Sequence, residues 1–188
     1  MTNKQDGTAL LVMDVQNGIV ERFISDSSTL QPFHDAVEAA RKHGIPVLFI
    51  RVAFSSNYAE IGPYNKSFSQ IAKRKDMTIT DYATQIHDAV KPQEDETIIT
   101  KYRVSAFAGS TLDVVLRANR IHKLILCGIA TSGVVLSTVR EAADQDYELT
   151  VLEDACLDAD PEVHRVLTQK VFPRQAEVLT VADWSQSL

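Results

Sequence analysis

The chain has 188 residues, 45% of them hydrophobic and 23% charged, which suits one soluble domain with a sizeable core. Nineteen basic residues against 25 acidic ones give a formal charge of −6, which argues against a nucleic-acid or anionic-membrane partner. Two cysteines make no disulfide framework, no apolar run reaches spanning length and MTNKQDG has no apolar targeting core, so a reducing, cytoplasmic location is expected.

Thr8–Met13 is a continuous apolar run ending on Asp14, then Val15-Gln16-Asn17-Gly18. Such a run implies a strand buried on both faces, as in a parallel sheet, with Asp14 at its carboxyl end. Leu30–His43 carries Phe33, Val37 and Ala40 at helical spacing, and His43-Gly44 closes the helix. Pro46–Val52 is the second strand, with its proline confined to the start. Ala53–Met77 has no clear period, and a segment of that length predicts a lid or substrate-side loop with one short helix. Its charge run, Lys73-Arg74-Lys75-Asp76, reads as a solvated face.

Asp81–Val90 is predicted as a helix ended by Pro92, and Glu96–Thr100 as a third strand followed by Lys101. Ser110–Arg120 is a helix with Ser110 or Gly109 as cap and Leu112, Val115 and Leu116 inward. The apolar run Leu124–Cys127 meets Gly128 and four small or polar residues, Ala130 to Gly133. A helix marked by Val135, Val139 and Ala142 follows. That order describes a buried strand, a tight turn and a helix start, a place able to hold an anionic group or a developing oxyanion. Glu148–Leu152 is a fifth strand, Asp160-Pro161 opens a helix, and Glu177–Val181 is a sixth strand before a short tail with Trp184.

Strands alternating with helices predict a three-layer α/β/α, Rossmann-like domain over residues 1–188, its six-stranded sheet mostly parallel. In such sheets the site lies outside the carboxyl ends of the strands. Asp14, Lys101 and Gly128–Val134 fall there. Strand order 2-1-3-4-5-6 makes their strands neighbours, whereas 3-2-1-4-5-6 needs the loop after strand three to carry Lys101 inward. Asp14 and Lys101 at hydrogen-bonding distance would bias each other's protonation, either as catalytic groups or as a structural ion pair.

The pattern apolar strand-Asp-x-Gln-Asn at Leu11–Asn17, the run Lys101-Tyr102-Arg103-x-Ser105-Ala106-Phe107 and Gly128-Ile129-Ala130-Thr131 resemble the isochorismatase-like hydrolases of the cysteine hydrolase superfamily. The likeness runs from Ala9 to about Val181 and includes Glu153-Asp154-Ala155. The resemblance implies an α/β hydrolase acting on a small molecule, frequent homo-oligomers and a triad of aspartate, lysine and cysteine. Asp14 takes the aspartate position and Lys101 the lysine position. It also implies a non-proline cis peptide at Ile129–Ala130.

One position departs from that pattern. Amidase members carry the nucleophilic cysteine three residues after the turn threonine, and Val134 stands there. Valine cannot form an acyl-enzyme. A first reading is a cysteine-free hydrolase, which the isochorismatase members proper resemble. Asp14 is then the general acid that protonates a vinyl-ether carbon, and water attacks the resulting cation. Lys101 holds the substrate or the Asp14 network. Gln16 and the turn residues Ile129, Ala130, Gly133 and Val134 contact the substrate. A second reading is a small-ligand-binding protein on the same scaffold, and a third is a hydroxyl nucleophile at Ser132 or Ser137, with Ser132 better suited to capping. No metal or cofactor is expected, because His34, His43, His87, His122 and His164 have no ligand spacing and no phosphate-loop or dinucleotide fingerprint is present.

Overall fold

Each apolar run forms a strand, and the strands share one sheet because both of their faces need covering. The computed structural model describes residues 7–24 and 26–188, so the amino-terminal segment read above lies outside the described residues except for Gly7. Among them no helix is long and apolar enough to cross a membrane. β1 (Thr8–Met13) is followed by α1 (Asn17–Phe23) and α2 (Gln31–Lys42). β2 (Val47–Val52) leads into the long loop, which contains α3 (Phe68–Arg74). β3 (Thr97–Lys101), α4 (Leu112–Ala118), β4 (Lys123–Ile129) and α5 (Leu136–Asp144) come next. β5 (Glu148–Leu157), α6 (Pro161–Val166), β6 (Glu177–Leu179) and α7 (Val181–Gln186) complete the chain.

All six strands are parallel, in the order β3-β2-β1-β4-β5-β6. One face carries Leu11, Met13, Ile50, Ile99 and Leu126 against Leu112 and Leu116 of α4 and Val139 of α5. The other carries Leu10, Val12, Phe49 and Ile125 against Phe33 and Val37 of α2 and Trp184 of α7. Fully burying a side chain of this size stabilises by about 1.5–3 kcal/mol, so the two helix layers are what make the central strands stable. A third cluster, Val52, Phe54, Tyr58, Phe68 and Met77, gives the long loop its own small core.

Several local details differ from the sequence reading or add to it. Asp81–Val90 is not a helix but two short 3-10 turns, Tyr82–Thr84 and Asp88–Val90. The Asp81 carboxylate accepts from the Thr78 amide instead of capping a helix, and Ile86 pairs with Gln16 in an isolated antiparallel bridge. α1 follows β1 directly, and Gly18 is needed there because a Cβ would lie 2.7 Å from Ala83 Cβ. β5 extends to Leu157 past an irregularity in its pairing with β4. The expected tail is α7, started by Thr180, whose hydroxyl accepts from the Asp183 amide, and held by its buried Trp184.

β4 also runs through Gly128 to Ile129, so the glycine lies in the strand and not in the turn. Its role is close approach: a Cβ there would fall 2.6 Å from the Met13 carbonyl oxygen and 2.9 Å from Met13 Cβ. Gly128→Ala must push β1 and β4 apart and is expected to destabilise by about 1–3 kcal/mol. Urea unfolding checks this, and a change within about 0.5 kcal/mol, as for an ordinary surface substitution, would contradict the close approach.

Candidate active site

Met13 of β1 is in register with Gly128 of β4, so Asp14 emerges at the crevice where the strand order reverses. By strand alternation Asp14 would share the face of Val12, whereas Lys101 shares the opposite face with Ile99. Asp14 has φ +58, a left-handed conformation that aspartate tolerates better than most residues. That turn ends the strand and brings the two side chains together. Lys101 does not follow β3 but is its last residue, paired with Val52. Its long side chain crosses the end of β2 and donates to Asp14 Oδ2 at 2.8 Å.

All three ammonium protons of Lys101 are placed: the other two go to the carbonyls of Arg103 at 3.0 Å and Val104 at 3.1 Å. Lys101 is 1% exposed and Asp14 5%. Asp14 Oδ1 is buried without a hydrogen-bond partner. Burial pushes the Asp14 carboxyl above the ordinary aspartate range, by more than the charge and hydrogen bond of Lys101 lower it. This is a buried carboxyl with one oxygen held and one oxygen free.

Gln16 does something other than present a polar group to a ligand. Its Nε2 donates to the carbonyls of Val52 and Thr84, both at 3.0 Å, and its Oε1 accepts from the Val52 amide at 2.8 Å. It ties the ends of β1 and β2 to the 3-10 turn that replaced the expected helix. The Ile129–Ala130 peptide is cis. The Ala130 carbonyl accepts from the Gly133 amide at 3.1 Å and the Val135 amide at 3.3 Å, which shapes a tight turn ahead of α5. Val134 is 2% exposed and offers no heteroatom.

Ser132 caps no helix with its side chain; its amide donates to Asp158 Oδ2 at 2.7 Å. Among the described residues neither Ser132 nor Ser137 has a base hydrogen-bonded to its hydroxyl. Cys127 and Cys156 are buried, and burial holds the Cys127 thiol well above its ordinary value and pushes Cys156 up to about 12. Neither has the exposed, electropositive surroundings that make a reactive thiolate.

Two contacts were not legible in the sequence. Arg103 Nη2 donates to the Glu60 carbonyl at 2.9 Å, and its guanidinium carbon stands 5.7 Å from the Phe68 ring centre, so the loop holding Lys101 is fastened to the long loop. Thr131 Oγ1 lies 2.9 Å from His164 Nδ1 on α6, and no spacing rule links residues so far apart. Lys73, Arg74 and Lys75 of the charge run are exposed, whereas Asp76 is half-buried, with Arg74 and Arg22 on its carboxylate at 3.1 and 3.7 Å. Two clefts of about 370 and 340 Å³ lie at the amino ends of the strands, the wrong edge of the sheet for Asp14.

A doubly covered parallel sheet with a carboxyl–ammonium pair at its switch point is the framework of a small-molecule enzyme, and comparison with known proteins narrows it. The isochorismatase domain model matches residues 8–183, and the chain belongs to that family of hydrolases. It is 31% identical over 205 residues to a ureidoacrylate amidohydrolase RutB of Azorhizobium caulinodans, covering 96% of this chain and 89% of the relative. Among solved structures it is similar to a cysteine hydrolase from Pseudomonas syringae pv. phaseolicola 1448A, with a TM-score of 0.88 at 23% identity over 99% and 94% of the two chains. An N-carbamoylsarcosine amidase from Thermoplasma acidophilum aligns with a TM-score of 0.74 at 26% identity over 93% and 96%.

The pair predicts a pH signature. A carboxyl whose folded value is raised contributes stability that is fully present below its unfolded value and is lost as pH rises through the folded one. Asp14→Asn is expected to remove that decline from the pH–stability curve, and an unchanged curve would contradict the effect of burial. Lys101→Met leaves the carboxyl without its partner and is expected to destabilise by about 3–5 kcal/mol near neutral pH, read by urea unfolding.

Proposed function

We propose that this chain hydrolyses a small, anionic enol-ether metabolite by general-acid catalysis from Asp14, without a cysteine nucleophile. The free, buried Oδ1 of Asp14 carries the reading. Burial raises the Asp14 carboxyl above its ordinary range, the direction that favours the acid form a general acid uses. Lys101, with its three protons engaged, is a positioning residue that fixes Oδ2 and stabilises the carboxylate left behind. Protonation of the vinyl carbon leaves an oxocarbenium ion, and water adds to it. No covalent intermediate with the protein is needed, which suits a valine at position 134. Ile129, Ala130, Gly133 and Val134 form the wall beside the substrate, and Gln16 keeps the frame.

Relatives named as amidohydrolases make amide hydrolysis the competing activity. That chemistry ordinarily uses a nucleophile to attack the carbonyl carbon, and Val134 supplies none. A ligand-binding role without turnover is disfavoured by the buried pair, because a carboxyl and an ammonium taken out of water are costly to maintain for binding alone.

The test is turnover of isochorismate and other enol-ether acids beside nicotinamide and ureido amides, by wild type and Asp14→Asn. Enol-ether hydrolysis is expected, lost by at least about 100-fold in Asp14→Asn. Its kcat should fall as pH rises through the Asp14 value, because the acid form is the active one. Amide turnover retained in wild type would overturn the cysteine-free mechanism. In Val134→Cys, labelling by a thiol reagent at position 134 is expected, and its absence would remove the alignment behind the argument.

A further inference from the structure

The register of the sheet lays out the floor of the cleft of about 340 Å³ at the amino ends of β1, β4, β5 and β6. Ile125 pairs with Thr150, and Thr150 with Glu177. Two residues nearer the amino ends, Thr8 pairs with Lys123, and Lys123 with Glu148. Paired residues of a parallel sheet share a face, and here it is the face of Leu10 and Val12 that α2 and α7 cover. Ile45 and Trp184 line the cleft above that floor.

Two side chains of this floor break a rule that the others keep. Thr8 is 5% exposed and Thr150 2%, yet among the described residues neither hydroxyl takes part in a hydrogen bond. Every other buried polar side chain among them takes part in at least one. A buried hydroxyl without a partner in its own chain lacks stabilisation that a molecule entering the cleft can supply.

Charge gives the cleft a polarity. Glu177, beside Thr150, and Asp183 on α7 line it, and neither has a cation partner among the described residues. At the other end Lys123, beside Thr8, is matched by Glu148 at 2.7 Å. One end is therefore acidic and the other balanced. Thr8 and Thr150 stand two strands and two residues apart, about 12 Å between their Cα positions, with Ile125 on the strand between them.

We propose that this cleft is a second small-molecule site, for an elongated primary amine that carries a hydroxyl at its far end. The ammonium, with three donors and no acceptor, takes Thr150 Oγ1 and the Glu177 carboxylate as acceptors. The apolar chain lies over Ile125 against Trp184, and the far hydroxyl exchanges a hydrogen bond with Thr8 Oγ1. The inference stands apart from the hydrolysis proposed above, because Asp14 is at the opposite edge of the sheet.

Trp184 is the single tryptophan of the chain, so its fluorescence reports from this cleft. The experiment titrates wild type, Thr150→Val, Thr8→Val and Glu177→Gln with ω-aminohexanol and its homologues one and two carbons longer, and with α,ω-hexanediol and adipate, at constant ionic strength. In wild type a saturable change with an amino alcohol is expected, with a Kd about tenfold below that of hexanediol, and no response to adipate. Thr150→Val and Glu177→Gln are expected to weaken binding by about tenfold and Thr8→Val by about threefold. Neither valine variant should lower the midpoint of urea unfolding, because the hydroxyls bond nothing in the free chain. A lowered midpoint would overturn that premise and the site with it. No saturable response to any amino alcohol would overturn the site and leave hydroxyls that meet only water. An equal response to hexanediol or adipate would overturn the amine assignment, and unchanged affinity in Thr150→Val and Glu177→Gln would place the binding elsewhere.

Discussion

The 2.8 Å contact between Lys101 and Asp14 organises the carboxyl edge of the sheet. A carboxyl removed from water has to be neutral or paired, and a buried ammonium needs acceptors for all its protons. Both demands are met by bending the backbone to suit. Asp14 leaves its strand in a left-handed conformation, and the Arg103 and Val104 carbonyls turn inward to complete the lysine. What remains is one carboxyl oxygen without a partner. The general-acid role proposed for Asp14 would use that oxygen.

The elements around the pair make its geometry rigid. Gln16 binds the ends of two strands and a 3-10 turn through one side chain. The loop carrying the lysine's acceptors is anchored on one side by Arg103 against the long loop and on the other by Thr138, whose hydroxyl accepts from the Ala106 amide at 3.0 Å. The long loop has its own aromatic contacts, with Phe54 at 5.9 Å from both Tyr58 and Phe68 and at 6.1 Å from Tyr102. It is therefore a packed cover and not a free flap. Substrate selection by such a cover would follow from side chains that the Asp14–Lys101 pair never touches.

The turn after β4 is held by its backbone. Its backbone is shaped by the cis peptide, by the double acceptance at the Ala130 carbonyl and by Asp158. None of these depends on the side chain at 134. In the cysteine-free reading proposed above, valine at position 134 leaves that backbone in place and offers no covalent nucleophile.

Strand positions, the alternation that defines the fold class and the candidates Asp14 and Lys101 were legible in the sequence. Continuous burial leaves apolar runs such as Thr8–Met13, and chemistry at strand ends leaves charged residues after them. The sequence also held the Thr180-to-Asp183 signal for α7, which a closer reading of caps finds. The strand order, by contrast, is decided by pairing over long separations, and so is the route of Lys101 across β2. The helix expected at Asp81–Val90 failed because Gln16, distant in sequence, draws the Thr84 carbonyl into its own hydrogen bond. Thr131 and His164 meet because α6 follows a strand adjacent to β4, a neighbour relation that no local period records. Local chemistry is written residue by residue; which residues meet is settled by packing the two helix layers on the sheet.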